Sequence, residues 1–274
     1  MNIITENTIR NFKAHLIEDE KSAATAEKYL HIAKHFKAFV CGQPVTKELT
    51  VLYKQELTKE FSARTVNVYI AGVNKLLKFM ELEDCTVKSL KIQRQVYLAE
   101  EKELTKSEYM RLLSSASPKL RLIMETICGT GIRVSELQYF TKESVEAGTI
   151  HIRLKGKCRD IIVNQKLRKK LLDYCRQNKI ETGVIFLCKN GSPMNRSMIW
   201  AQMKKLCKAA GVLASKVFPH NLRKLFARCF YAIERDIAKL SDILGHSSIE
   251  TTRIYIMTTA AAHRKQMERL GLIS

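Results

Sequence analysis

The sequence predicts a mainly α protein with a small antiparallel β-sheet, divided into an N-terminal helical bundle and a mixed α+β second domain. Three observations lead there. Apolar residues recur at helical spacing over most of the chain. One central stretch, "GTIHIRLKGKCRDIIVN", instead alternates and turns back on itself. Between Met80 and Leu104 all periodicity fades, as it does in a linker. The domains are therefore placed at 1–84 and 104–274 with a linker at 85–103, and 274 residues suit two domains rather than one.

The first domain reads as about four helices. Tyr29, Ile32, Ala33, Phe36, Phe39 and Val40 form one apolar stripe, opened by Ser22 or Thr25 and stopped by Gly42 and Pro44. Val66, Tyr69, Ile70, Val73, Leu76, Leu77 and Met80 form a second, opened by Ser62 or Thr65. Weaker helical patterns run from Glu6 to Ile17 and from Lys47 to Leu57. Few Gly or Pro residues interrupt them, as a bundle requires.

In the second domain a helix start is expected at Thr105, with helical pattern from Leu112 to Cys128. The hairpin follows: Ile150, Ile152 and Leu154 face one side, Ile161 and Val163 answer, and Lys155-Gly156-Lys157-Cys158 makes a basic tip. "GVIFLC", Gly183 to Cys188, reads as a third short strand. Helices are expected at about Gln165–Gln177, Asn195–Ala210, Pro219–Ile233, Asp236–Leu244, Ser248–Ile256 and Thr259–Leu270.

Composition narrows the function. Forty-seven Lys and Arg face 27 Asp and Glu, a formal net charge of +20. Such an excess favours polyanions as partners, nucleic acid first and anionic membrane second. The eight cysteines contain no C-x-x-C pair, which argues against zinc and suits reduced thiols. The start, MNIITENTIR, has no signal-peptide pattern, and no run of about 18 apolar residues spans a membrane, so a cytoplasmic protein is expected.

Four stretches carry residues able to do chemistry. In "GTGIRVSEL" two glycines break the chain and Arg133 opens a new helix, with Glu136 at (i, i+3) able to orient its guanidinium. The hairpin tip offers Lys155, Lys157 and Arg159. In "FPHNLRKLF" Pro219 suits a first helical turn, and His220 and Arg223 share a face able to hold one anion. In "LGHSSIETTRIYIMTT" Gly245 ends one helix, His246 lies in the turn, Ser247 with Glu250 fits a capping box, and Tyr255 comes two turns into the next helix. Each alone also fits a plain solvated or packed face.

Their order along the chain resembles the tyrosine recombinase (phage integrase) family, of the Xer-like or mobile-element kind. The stripes "TAEKYLHIAKHFKAFV" and "SARTVNVYIAGVNKLLKFM" are similar to that family's core-DNA-binding helices. The resemblance implies a catalytic domain over 104–274 and two domains closing as a C-shaped clamp on DNA. It implies that Arg133 and Arg223 grip the scissile phosphate, with Glu136 steadying Arg133. Lys155, or else Lys157, would protonate the leaving 5′ oxygen; His220 would be the histidine of the H-x-x-R pair and His246 a further phosphate contact; Tyr255 would be the nucleophile. It further implies double-stranded DNA as partner, a homo-oligomer on DNA that is a tetramer in synapsis, exchange of the C-terminal helix between protomers, and an accessory directionality factor. Two departures stand out: Lys224-Leu225 follow the second arginine where the family often has His-Thr, and Ile256-Met257 follow the tyrosine where it often has Thr-His.

The chemistry is coherent without a cofactor or metal. Guanidinium forks match phosphate bidentately and stay charged. A phenol, with a pKa near 10, needs cations or a base, and His220 is the base candidate by type. There is no P-loop and no G-x-G-x-x-G, so no nucleotide is expected, and a phosphotyrosyl link would keep the energy for rejoining. Arg64, Asn67 and Asn74 are possible base readers. Two other classes remain open: a DNA-binding regulator without chemistry, and a type IB topoisomerase-like enzyme.

Overall fold

A computed structural model describes residues 2–93, 102–154, 157–188, 190–257, 263–264 and 267–270. Its contacts divide the chain into two units, Met1–Arg94 and Gln95–Ser274.

The first unit is four helices: α1 (Glu6–Glu18), α2 (Ala23–Val40), α3 (Lys47–Glu60) and α4 (Ala63–Phe79). Side-chain caps start three of them, with Thr5, Thr46 and Ser62 accepting from the exposed N–H groups of the first turn. At the end of α2 the left-handed position is taken by Cys41, at φ 48°, one residue before the expected Gly42. The two stripes meet in one core in which Phe12, Phe36, Val66, Ile70, Leu76 and Leu77 are fully buried. Truncating Leu76 to Ala would cost about 2–5 kcal/mol, a large share of a small domain's stability.

Residues 85–90, read from sequence as the opening of the linker, lie on this bundle. Asn67 and Asn74 are one face of α4, and each makes a two-way hydrogen bond to their backbone. Asn74 donates to the Val87 carbonyl at 2.8 Å and accepts from the Val87 N–H at 3.0 Å. Asn67 does the same with Leu90, at 2.9 and 2.7 Å. Each amide thereby commits one donor and its oxygen to the backbone, which argues against the expectation that they read bases. The polar residues of an amphipathic helix looked solvated because the chain that covers them has no period of its own.

The second unit begins with α5 (Lys106–Ser115) and α6 (Pro118–Thr130). A single pattern from Leu112 to Cys128 is in fact two helices, because Ser117-Pro118 breaks the first and starts the second. A 3-10 turn (Val134–Tyr139) and α7 (Lys142–Ala147) lead to the hairpin, β1 (Thr149–Leu154) and β2 (Lys157–Ile162), paired antiparallel with Ile150 opposite Ile161 and Ile152 opposite Arg159. Ile150, Ile152, Ile161 and Val163 are buried, so the alternation predicted the inward face.

Then come α8 (Gln165–Gln177), α9 (Arg196–Lys205) and α10 (Cys207–Ala210), the last two separated at Leu206 where one helix was expected. Gly183–Cys188 is not a strand. It makes only isolated bridges, Thr141 with Val184 and Leu187 with Pro193, and two-stranded β1–β2 is the sheet among the described residues. A proline partner cannot donate to a ladder, which keeps this apolar run from extending.

The unit ends in α11 (Pro219–Glu234), α12 (Ile237–Leu244) and α13 (Ile249–Ile256). Ala227, Leu240, Leu244 and Tyr255 form a small core of their own between these three. Ser248, rather than Ser247, caps α13, accepting from the Glu250 N–H at 3.2 Å. Half of the expected helix Thr259–Leu270 lies outside the described residues. No described helix is long and apolar enough to cross a membrane.

Candidate active site

The site is built around the C-terminal end of α12. A helix end leaves carbonyls without partners and carries partial negative charge. Here three consecutive carbonyls are each taken by a different arginine. Arg159 Nη1, from β2, donates to Ile243 at 2.6 Å. Arg223 Nη2, from α11, donates to Leu244 at 2.7 Å. Arg133 Nη2, from the residue capping the 3-10 turn, donates to Gly245 at 3.4 Å. Three guanidiniums from three separate elements are thus gathered on one turn.

One carboxylate stands among them. Glu136 is 1% exposed, an expensive place for a charge unless it is paired. Its Oε1 accepts from Arg133 Nη1 at 3.1 Å; its Oε2 accepts from Arg159 Nη2 at 2.5 Å and from the Arg133 backbone N–H at 2.6 Å. The predicted (i, i+3) pairing of Arg133 with Glu136 is present. Arg159 was missed, being grouped with the solvated tip. The parity of β2 held the signal, since 159, 161 and 163 alternate on the inward face.

Arg223 is 1% exposed and its charge meets no carboxylate directly. Nη1 donates to the Gly131 carbonyl and Nη2 to Leu244 and to His246 Nε2, the latter at 3.0 Å. Its Nε has no partner, alone among buried side-chain N and O atoms of the described residues. Burial first, then repulsion by Arg133 and Arg159, pushes its pKa down to about 10, which leaves it charged at neutral pH. Gly131 is needed for this approach. Its φ is +67°, and a Cβ there would meet the Phe226 ring at 2.4 Å.

The two histidines and the tyrosine close the site. Tyr255 is 8% exposed, and its ring lies edge-on to His220 at 5.0 Å and to His246 at 4.8 Å between centroids. The Arg223 Cζ stands 5.9 Å from the centre of the phenol ring. His246 Nδ1 bonds Thr252 Oγ1 at 2.8 Å, and Thr252 is fully buried. Desolvation, then Arg223, Arg133 and Arg159, hold His246 down at about 4. His220 is an exposed residue at the first turn of α11; partial desolvation of its ring, then Lys224, Arg223, Arg196 and Arg133, hold it too at about 4. Both are therefore neutral at pH 7.

Of the residues singled out from sequence, Arg133, Glu136, His220, Arg223, His246 and Tyr255 converge here. Lys155 lies outside the described residues, as does the side chain of Lys157. The arrangement is a cluster of fixed cations with one unpaired buried N–H, a phenol beside it and two neutral imidazoles. Such an arrangement is able to receive a tetrahedral anion beside the phenol.

The sequence pattern of the phage integrase family matches residues 102–262, the stretch that contains all of these groups. The chain belongs to the phage integrase family. It is similar over nearly its whole length to the tyrosine recombinase XerA of Pyrococcus furiosus, with 28% identity over 98% of this chain and 96% of that protein. Over a shorter stretch it is 33% identical to the tyrosine recombinase XerH of Campylobacter jejuni, covering 49% of this chain and 40% of that one. Among solved structures, the crystal structure of XerA recombinase aligns over 99% of this chain and 100% of its own, with 25% identity and a TM-score of 0.53. A lambda integrase dimer bound to a COC′ core site shares the fold at 17% identity and a TM-score of 0.76, over 93% of this chain and 78% of that one.

Proposed function

We propose that this chain is a site-specific DNA recombinase that cuts and rejoins DNA through a 3′-phosphotyrosyl intermediate. The observation that carries the reading is Tyr255 packed against the buried, partly unpartnered guanidinium of Arg223. Arg133 and Arg223 hold the non-bridging oxygens of one phosphodiester. The Tyr255 oxygen attacks phosphorus, a new O–P bond forms, and the bond to the 5′ oxygen breaks. The phenolic proton leaves to His220, which of the two imidazoles beside Tyr255 is the one whose nitrogens no described group occupies. The departing 5′ oxygen takes its proton from the hairpin lysine, Lys155 or Lys157. Reversal by a different 5′ hydroxyl joins new strands with no energy source besides the bond already held.

Tyr255 sits with Arg223 of its own chain, so one protomer supplies a full set of these side chains. The net charge of +20 supports binding to duplex DNA. Solved structures of the same fold include a lambda integrase tetramer bound to a Holliday junction, which supports assembly of this chain into a tetramer on two duplexes. Exchange of the C-terminal segment between protomers is part of this reading. An accessory protein that sets direction belongs to the same reading.

The test is covalent trapping. Incubated with nicked duplexes from the DNA flanking its own gene, the protein should form a denaturant-stable adduct, and Tyr255→Phe should form none. An adduct that persists in Tyr255→Phe, or none with the unaltered protein on any flanking duplex, would remove the reading. Exchange between two marked sites, as against relaxation alone, distinguishes a recombinase from a topoisomerase-like enzyme.

A further inference from the structure

Thr252 is the one fully buried polar side chain on α13, three residues before Tyr255 and so on the same side of the helix. Its hydroxyl meets His246 Nδ1 at 2.8 Å. The opposite ring nitrogen, Nε2, meets Arg223 Nη2 at 3.0 Å. A guanidinium has donors and no acceptor, so Nε2 must present its lone pair. A neutral imidazole then carries its proton on Nδ1, and Thr252 Oγ1 is the acceptor of that proton.

We propose that Thr252 is a positioning residue: its hydroxyl accepts the Nδ1 proton that the Arg223 contact places on His246 and so holds the ring, whose Nε2 lone pair in turn holds the Arg223 fork in place. The proposal rests on the recombinase reading above for its consequence in catalysis, though not for the arrangement itself. The opposite tautomer would point an Nε2–H at Arg223 Nη2, donor against donor, and leave Nδ1 facing a hydroxyl. His246, about 4 in pKa, is neutral at working pH, so tautomer and not charge is what the contact decides. In this state His246 has no N–H left for an anion. Its work is to aim the arginine, and α13 carries both the hydroxyl that sets the ring and the phenol that attacks. A displacement of α13 would therefore release the nucleophile and the arginine's buttress together.

Two measurements test this. The first uses the unaltered protein. Nitrogen-15 NMR of the imidazoles, with His246 assigned by its loss in His246→Gln, should show a protonated Nδ1 and an unprotonated Nε2. An Nε2-protonated ring, or a mixture of the two forms, overturns the proposal whether or not the protein cleaves DNA. The second compares Thr252→Val, which keeps the volume and loses the hydroxyl, with Thr252→Ser, which keeps the hydroxyl. In single-turnover cleavage of nicked DNA the Val variant should be slower by about 10- to 100-fold, the cost of an unsatisfied buried donor, and the Ser variant should recover most of that loss. Equal rates for Val and the unaltered protein, or a Ser variant as slow as Val with both folded by thermal melting, overturn it. Absence of a Tyr255 adduct with the unaltered protein removes the recombinase reading, while the NMR result still decides the Thr252 arrangement.

Discussion

Arg159 Nη2 lies 2.5 Å from Glu136 Oε2, and this contact joins the hairpin to the turn that carries Arg133. The same arginine reaches the Ile243 carbonyl with its other fork, and Gly245 lies directly over its side chain. One residue so ties β2, the 3-10 turn and the end of α12. The strand that holds Arg159 in this position also begins with Lys157.

Removing that arginine should be costly. Arg159→Ala leaves a carboxylate 1% exposed with half its charge balance gone, and about 3–5 kcal/mol of stability should be lost. Arg159→Lys keeps the charge but not the fork, so it should lose less, with one of the two contacts broken. Urea denaturation of the three proteins checks this, and equal midpoints for Ala and the parent would contradict the tie.

Gly245 makes an independent test of the same packing. Its φ is +62°, and a Cβ would stand 2.7 Å from Arg159 Cδ. Gly245→Ala must therefore move the arginine as well as strain the backbone, for a loss of about 1–3 kcal/mol. Gly148, whose φ is +80° with nothing near a Cβ, is the control: Ala there should carry the backbone strain alone and cost less.

These two arginine contacts also mark what was legible beforehand. The helices announced themselves through stripes such as Ile32, Phe36 and Val40, because each had to bury one face. The site residues Arg133, Glu136, His220, Arg223, His246 and Tyr255 could be picked out because glycine breaks, a proline start and a helix turn bracket them in sequence. Arg159 and Thr252 were not, since what makes them matter is a partner 23 residues away in one case and a buried ring in the other. The isolated bridges at Val184 and Leu187 failed the same way: an apolar run says that a segment is buried, not that a neighbour will pair with it. Asn67 and Asn74 looked like free polar groups because their partners are backbone atoms of an aperiodic stretch.

The two asparagines give a prediction opposite to base reading. Asn74→Ala should leave the Val87 N–H and carbonyl without partners and destabilise the first unit by about 1–3 kcal/mol. Any weakening of DNA binding should then be the same for every sequence offered. A selective loss at one base position, seen by competition among variant duplexes, would restore Asn74 as a reader. Binding itself should fall with salt at a log–log slope of about −0.9 for each phosphate neutralised, and a flat response would count against the charge excess being used on DNA.

The depressed histidines predict how stability follows pH. A folded pKa of about 4 against an ordinary 6.5 means that the unfolded chain binds more protons between those values. Stability should be fully present above pH 6.5 and should decline as pH falls toward 4. His246→Gln removes one of the two groups, so the slope of unfolding free energy in that window should become shallower than in the parent. An unchanged slope would mean that His246 is not held neutral.

Anion binding should separate the two rings. Glu136 offsets only part of the charge of the cations that depress both, and a phosphate bound among Arg133, Arg223 and Lys224 adds negative charge. Charge alone would raise both pKa values together. Hydrogen bonding says otherwise, because protonating His246 on Nε2 means breaking its contact with Arg223, while no described group occupies either nitrogen of His220. Saturating inorganic phosphate or nicked DNA should therefore lift His220 by about one unit or more and His246 by clearly less. Histidine Hε1 shifts followed against pH, with and without the anion, measure both at once. A larger rise at His246 than at His220 would mean that Arg223 lets go of its imidazole when the phosphate arrives, and that His246 rather than His220 is the ring placed to take the phenolic proton.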